Sequence, residues 1–284
     1  VSHEPSGLNA SVTISPHDAG GSTSVERLDG RVLEKALQQW EYDMAKVLRK
    51  VKPHLAVAVM DHVPVGPNGA VGFTKSVAEK ALAMSRDADT RIFVVVVLRP
   101  DAFDAVVRSE LGVHFNIKYA VIGNPSFGDF KGILNAHNIR GLSEEDYREL
   151  YRITGGNPVV AIEVLKSLDR GGRYLQQRLD EDFGVSEVVK VAKERGLLGE
   201  LIQIAKNPDA AEENEEAAKL LMRARLLCRA NYRDLGIKPI IWPTEVKTKY
   251  FWASDLVASY AARLAANALK AEGSAKFRNR ALRV

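Results

Sequence analysis

Two unbroken apolar runs, Leu55-Ala56-Val57-Ala58-Val59-Met60 and Ile92-Phe93-Val94-Val95-Val96-Val97-Leu98, constrain the fold more than any other feature of the chain. Neither alternates with polar residues, which is the pattern of strands covered on both faces in a parallel sheet. The segments around them are helical in period. Leu33, Leu37, Trp40, Met44 and Leu48 recur at helical spacing and predict a helix over 32–51, ended by Pro53. A glycine-rich loop, 64–72, leads into a second predicted helix over 74–86; a third is predicted over 102–111, before a short apolar segment at 117–122. Strands alternating with helices predict a parallel α/β sheet within residues 31–125.

Beyond Gly123 the pattern becomes helical. Ser143-Glu144-Glu145-Asp146 reads as a capped helix start, with acids where the helix dipole favours them. That helix stops at Gly155-Gly156. Asn157 then caps another helix whose first residue, Pro158, loses nothing by lacking an amide hydrogen. The helices 143–153 and 158–169 form a small module within 126–172, closed by a turn at Gly171-Gly172. Further helices are predicted over 186–195, 198–206 and 210–228, then strand-like segments at 229–233, 238–242 and 249–252, and a closing helix over 254–270. Three helices followed by a β-hairpin is the order of a winged helix-turn-helix, here spanning 186–270. Residues 1–30 read as irregular and 271–284 as a basic tail.

The 284 residues leave room for about two domains. With 46% hydrophobic and 27% charged residues, the composition excludes collagen-like, disulfide-scaffold and wholly disordered chains. No apolar run approaches the ~18–20 residues that cross a bilayer. Residues 1–20 lack the basic and apolar regions of a signal peptide, so a cytoplasmic protein without membrane partners is expected. One cysteine, Cys228, excludes an internal disulfide, and six histidines fall without metal-ligand spacing.

Four stretches could carry chemistry. Gly66-Pro67-Asn68-Gly69-Ala70-Val71-Gly72-Phe73-Thr74-Lys75-Ser76 has the layout of a phosphate loop, but Phe73 and Thr74 separate Gly72 from Lys75, so the lysine misses the Walker A position. Asp61 ends a buried-type strand, where a carboxylate serves either as a strand-end cap or as a magnesium-associated acid. His62 follows it, with a pKa suited to a base. Arg99, at the same edge of the next strand, is either a surface arginine or a phosphate contact. Thr154-Gly155-Gly156-Asn157-Pro158 is either a helix–helix corner or a helix N-terminus open to a ligand.

In this order, the hydrophobic strand ending at Asp61, Leu98-Arg99-Pro100, the capped helix from Ser143, the Thr154–Pro158 turn and Tyr250-Phe251-Trp252-Ala253-Ser254 resemble the archaeal STAND-type branch of the AAA+ P-loop ATPases, over residues 32–268. The resemblance implies a P-loop-ATPase-like α/β core, a helical lid and a C-terminal winged-helix domain. It implies ATP or ADP and Mg²⁺ as cofactors. Asp61 would be the metal-associated acid, Arg99 the γ-phosphate sensor, and Gly155, Gly156, Asn157 and Pro158 the lid turn, with Pro158 near the adenine. His62 stands where the family has a second acid. No Walker A motif occurs in the chain, so the expected function is a nucleotide-dependent switch that is incomplete or hydrolytically degenerate.

The alternative is a non-enzymatic DNA-binding or assembly protein. Its net charge of +4 is matched by the cations of the last nine residues, including Lys276, Arg278 and Arg280. With Arg229, Arg233, Lys247 and Lys249 of the wing region these could meet a phosphate backbone. Glu212, Glu213, Glu215 and Glu216 stand where a recognition helix reads bases, and repel it. A protein partner or self-association is therefore favoured over DNA.

Overall fold

The computed structural model describes residues 30–51, 55–60, 66–139, 141–237, 239–242 and 247–281. The chain is mostly helical, with small sheets of two strands each. It divides into two compact units. One comprises residues up to Leu98 together with Arg108–Phe115, and the other comprises Arg99–Val107 and everything from Asn116 onward.

In the first unit, α1 (Gly30–Val51) precedes β1 (Leu55–Met60), α2 (Pro67–Ala88) and β2 (Arg91–Val96). The strands pair in parallel from Leu55↔Arg91 to Met60↔Val96, joined by the α2 crossover. Trp40, Met44 and Leu48 of α1 and Met84 of α2 pack on Ala58, Ile92 and Val94. The opposite face is bare: Leu55, Val57 and Val59 of β1 and Phe93, Val95 and Val97 in and beyond β2 are 41–61% exposed. Sequence predicted strands covered on both faces, yet among the described residues helices of this unit cover one side of a two-stranded ladder.

From Gly66 onward the glycine-rich stretch is a helix cap and helix rather than a loop. Gly66 is the extended N-cap of α2, Pro67 takes the first helical position, and the amides of Gly69 and Ala70 donate to the Gly66 carbonyl. Buried Ala70, Phe73, Thr74 and Val77 anchor these turns, so packing overrides the low helix propensity of Gly69 and Gly72. Lys75 stands on the helix surface, 3.9 Å from Glu79. With its first residues wound into helix, the segment has no phosphate-cradling geometry.

The second unit contains α3 (Pro100–Val107), whereas the short α4 (Leu111–His114) belongs to the first. The second unit continues with β3 (Ala120–Ile122), α5 (Phe127–Ala136), α6 (Glu144–Thr154), α7 (Pro158–Arg170), α8 (Gly172–Phe183), α9 (Val185–Glu194) and α10 (Leu198–Lys206). A 3-10 turn, Pro208–Glu212, then leads to α11 (Glu215–Arg223), β4 (Leu227–Arg229), β5 (Ile240–Trp242), β6 (Tyr250–Trp252) and α12 (Asp255–Ala281). Its main core joins Leu179, Val185, Val189, Leu201, Ile204, Leu221, Trp252 and Val257.

Several expectations change here. The helix predicted over 210–228 is a 3-10 turn, α11 and a strand. The helix stops because Arg225 adopts a left-handed conformation, with φ 62°, and the chain then enters β4. The segment expected as the middle wing strand, β5, pairs instead in parallel with β3, Ala120↔Ile240 to Ile122↔Trp242. The antiparallel ribbon is therefore β4 with β6, Leu227↔Trp252 to Arg229↔Tyr250. α8 lies where sequence gave only a turn and an unassigned stretch. The closing helix runs past 270 to Ala281, because Ala271, Glu272, Ala275 and Lys276 are strong helix formers and Gly273 alone does not stop it. Among the described residues, no helix is long and apolar enough to cross a membrane.

Ile204 is fully buried among the helices and ribbon of this core. Ile204→Ala is expected to lower the unfolding free energy of this unit by about 2–5 kcal/mol, read from the denaturant midpoint.

Candidate functional site

The Thr154–Pro158 corner is built by local rules. Ser143 and Asp146 form a reciprocal capping box at the start of α6, and Gly155 ends that helix in the left-handed conformation, φ 63°. Gly156 follows at φ 78° and donates its amide to the Tyr151 carbonyl at 2.8 Å. A Cβ at Gly156 would lie 2.7 Å from Tyr151 Cε2, so the corner needs glycine for space as well as for conformation. Asn157 then caps α7: its Oδ1 accepts from the amides of Val159 at 3.0 Å and Val160 at 3.2 Å.

These bonds decide what the corner offers. The amides of Gly155, Gly156, Asn157, Val159, Val160 and Ala161 all donate within the chain, and Pro158 has none. A phosphate held at a helix N-terminus needs free amides. Here they are already engaged.

The corner is instead fastened to the segment that opens α12. Asn157 Nδ2 donates to the Ala253 carbonyl at 2.9 Å, and Asn124 Nδ2 donates to the Gly155 carbonyl at 2.8 Å and to Ala253 at 3.3 Å. Ser254 Oγ donates to the Thr154 carbonyl at 2.8 Å, with both residues buried. A Cβ on Gly155 would meet the Asp255 amide nitrogen at 3.2 Å. Three chain segments thus meet at one polar joint: the Asn124 turn after β3, the α6–α7 corner, and residues 253–255. Sequence reasoning found the second and third separately and missed Asn124. Its signal was the Gly123-Asn124-Pro125 turn following an apolar strand.

Asp61 and His62 lie outside the described residues. Arg99 stands just before α3 and donates from Nη2 to Asp101 Oδ2 at 3.4 Å; its Nε is buried without a hydrogen-bond partner. This ion pair is local to the start of α3. Among the described residues, no group of three or more His, Cys, Asp or Glu side chains could hold a metal ion.

The wing cations differ in availability. Arg229, expected at a nucleic-acid surface, is 5% exposed and turned inward, where it donates to the Asn231 carbonyl at 2.9 Å and to Asp234 at 2.6 Å. It also stacks over the rings of Tyr232 and Tyr250, at 4.7 and 5.5 Å. Lys249 pairs with Glu212, and its amide donates to Asp209 at 2.7 Å. Lys219 and Arg195 face Glu215 and Glu216 at 2.8 and 3.8 Å. Arg233 and Lys247 are exposed, while Lys276, Arg278 and Arg280 fall on the helical backbone of α12. Burial pushes the Cys228 thiol up to about 12, so it carries no thiolate at neutral pH and is no nucleophile.

No family model, curated protein or solved structure matches the chain.

Gly156→Ala forces a side chain onto Tyr151 at a left-handed position and is expected to destabilise the second unit by about 1–3 kcal/mol. Asn157→Ala removes a cap and one bond to Ala253 and is expected to cost about 1–2 kcal/mol, both read as shifts of the chemical-denaturation midpoint.

Proposed function

We propose that the chain is a nucleotide-dependent molecular switch of STAND type, incomplete or hydrolytically degenerate, that acts through protein contacts. The observation that carries this reading is the polar joint on the Ala253 carbonyl. A switch of this kind must couple a lid to an output module, and here the turn between α6 and α7 is hydrogen-bonded to the entry of α12. Movement of either helix pair requires the other to follow or the joint to break.

ATP or ADP with Mg²⁺ would supply the charge that the switch senses. Asp61 is the residue proposed for the metal and Arg99 for the γ-phosphate. The buried, unpartnered Nε of Arg99 fits a phosphate oxygen, because a desolvated guanidinium donor favours an anion. The engaged amides of Gly155 through Ala161 do not fit phosphate, so in this reading Gly155, Gly156 and Asn157 transmit rather than bind, and Pro158 sets the start of α7. The protein contact is supported by the apolar side chains exposed on β1 and β2, a kind of surface that monomeric proteins seldom leave bare.

A second reading, a DNA-binding or assembly protein without nucleotide, is favoured by exposed Arg233 and Lys247 and by the basic end of α12. Salt-paired Lys219, Lys249 and Arg195 weaken its DNA form.

Thermal unfolding with ATP and Mg²⁺ separates the two. At ligand concentrations about 100 times the dissociation constant, the switch reading expects a midpoint raised by about 5–10 °C, with the rise lost in Arg99→Ala. An unchanged midpoint, together with salt-sensitive DNA binding that disappears when residues 276–284 are removed, would establish the second reading instead.

A further inference from the structure

The outward face of the β1–β2 ladder is apolar over nearly its whole length. Leu55, Val57 and Val59 of β1 stand beside Arg91, Phe93 and Val95 of β2, with Val57 directly opposite Phe93. The Val97 amide donates to the Met60 carbonyl at 2.8 Å, which carries the ladder and its alternation one residue past β2. Apart from Arg91 at one end, every outward side chain is aliphatic or aromatic. A sheet face that meets water alternates with polar residues. Here both faces are apolar, although among the described residues α1 and α2 pack on the inner one alone.

The size and chemistry of this face say what covers it. Together its apolar side chains expose about 600 Å² of surface, the upper end of the ~300–600 Å² that the largest patch of a monomer reaches. Two such faces stacked on each other would bury about 1,200 Å², the size at which specific protein interfaces begin. No charge lies within the face to favour a charged peptide or a phosphate backbone, so apolar area and shape decide. Sheets pack face to face about 10 Å apart when branched side chains interdigitate, and a second copy of this ladder presents such a surface. A two-fold axis across the strands sets the Arg91 end of each copy beside the Val97 end of the other. Each guanidinium then stays at the wet rim, and no like charges meet.

We propose that the chain pairs with a second copy of itself through this face, ladder on ladder, as a two-fold dimer. Val57 and Phe93, opposite each other near the middle of the face, are its anchors, because central apolar and aromatic side chains carry most of the energy of an interface. The proposal rests on the protein-contact part of the switch reading, whose partner it names, and it needs no nucleotide.

Sedimentation velocity of the full chain without nucleotide, from about 1 to about 100 µM, tests this. The mass is expected to rise across the range from 31.2 kDa to twice that value. Phe93→Lys is expected to raise the dissociation constant at least about thirtyfold. Leu82→Lys, on the exposed side of α2, is expected to leave it unchanged. A chain that stays monomeric throughout, or a dimer indifferent to Phe93→Lys, would overturn the proposal. Should that variant not fold, hydroxyl-radical labelling of the wild type decides the matter: oxidation of Phe93 that falls on association supports the dimer, and oxidation equal at both ends of the range sinks it. The two readings fail separately. A monomer whose thermal midpoint still rises with ATP and Mg²⁺ removes the dimer alone, and a dimer whose midpoint ignores them removes the nucleotide switch alone.

Discussion

A single backbone carbonyl, that of Ala253, organises the second unit. It accepts from the side chains of Asn124 and Asn157, which come from segments far apart in the sequence. The Ser254 hydroxyl completes the joint on Thr154. A carbonyl in a loop between a strand and a helix has no ladder partner of its own, and leaving it buried and unpaired is unfavourable by about 1–3 kcal/mol. Satisfying it with two asparagines ties the β3 turn, the α6–α7 corner and the start of α12 together.

The local part of this joint was legible in the sequence because its rules are local. Ser143 with Asp146, Gly155 as a C-cap, and Asn157 before Pro158 each announce a helix end by chemistry that acts within four residues. What the corner touches was not legible. A glycine pair reads equally as an open ligand site or as a closely packed turn, and only the ring of Tyr151 and the backbone of Asp255 decide for the second. Asn124 carried no periodic signal at all.

The sheets show the same limit. The apolar runs at β1 and β2 correctly marked parallel strands, but hydrophobicity does not say how many layers cover them. The short segments around β3 and β5 were visible as apolar, while their pairing across more than a hundred residues follows from no local rule. At the start of α2 the error ran the other way. Glycine content suggested a loop, and the buried face of Ala70, Phe73 and Val77 outweighed it. The last strand, β6, was legible at 249–252, but the start of β4 within the expected helix and the break at Arg225 were hidden, because a left-handed residue in a non-glycine position depends on the packing around it.

Cys228 sits half-buried in β4, on the strand that pairs antiparallel with β6. As the chain's only sulfhydryl, it gives that ribbon a single native point for a thiol-directed probe, whose attachment speeds up only as pH climbs well above neutral.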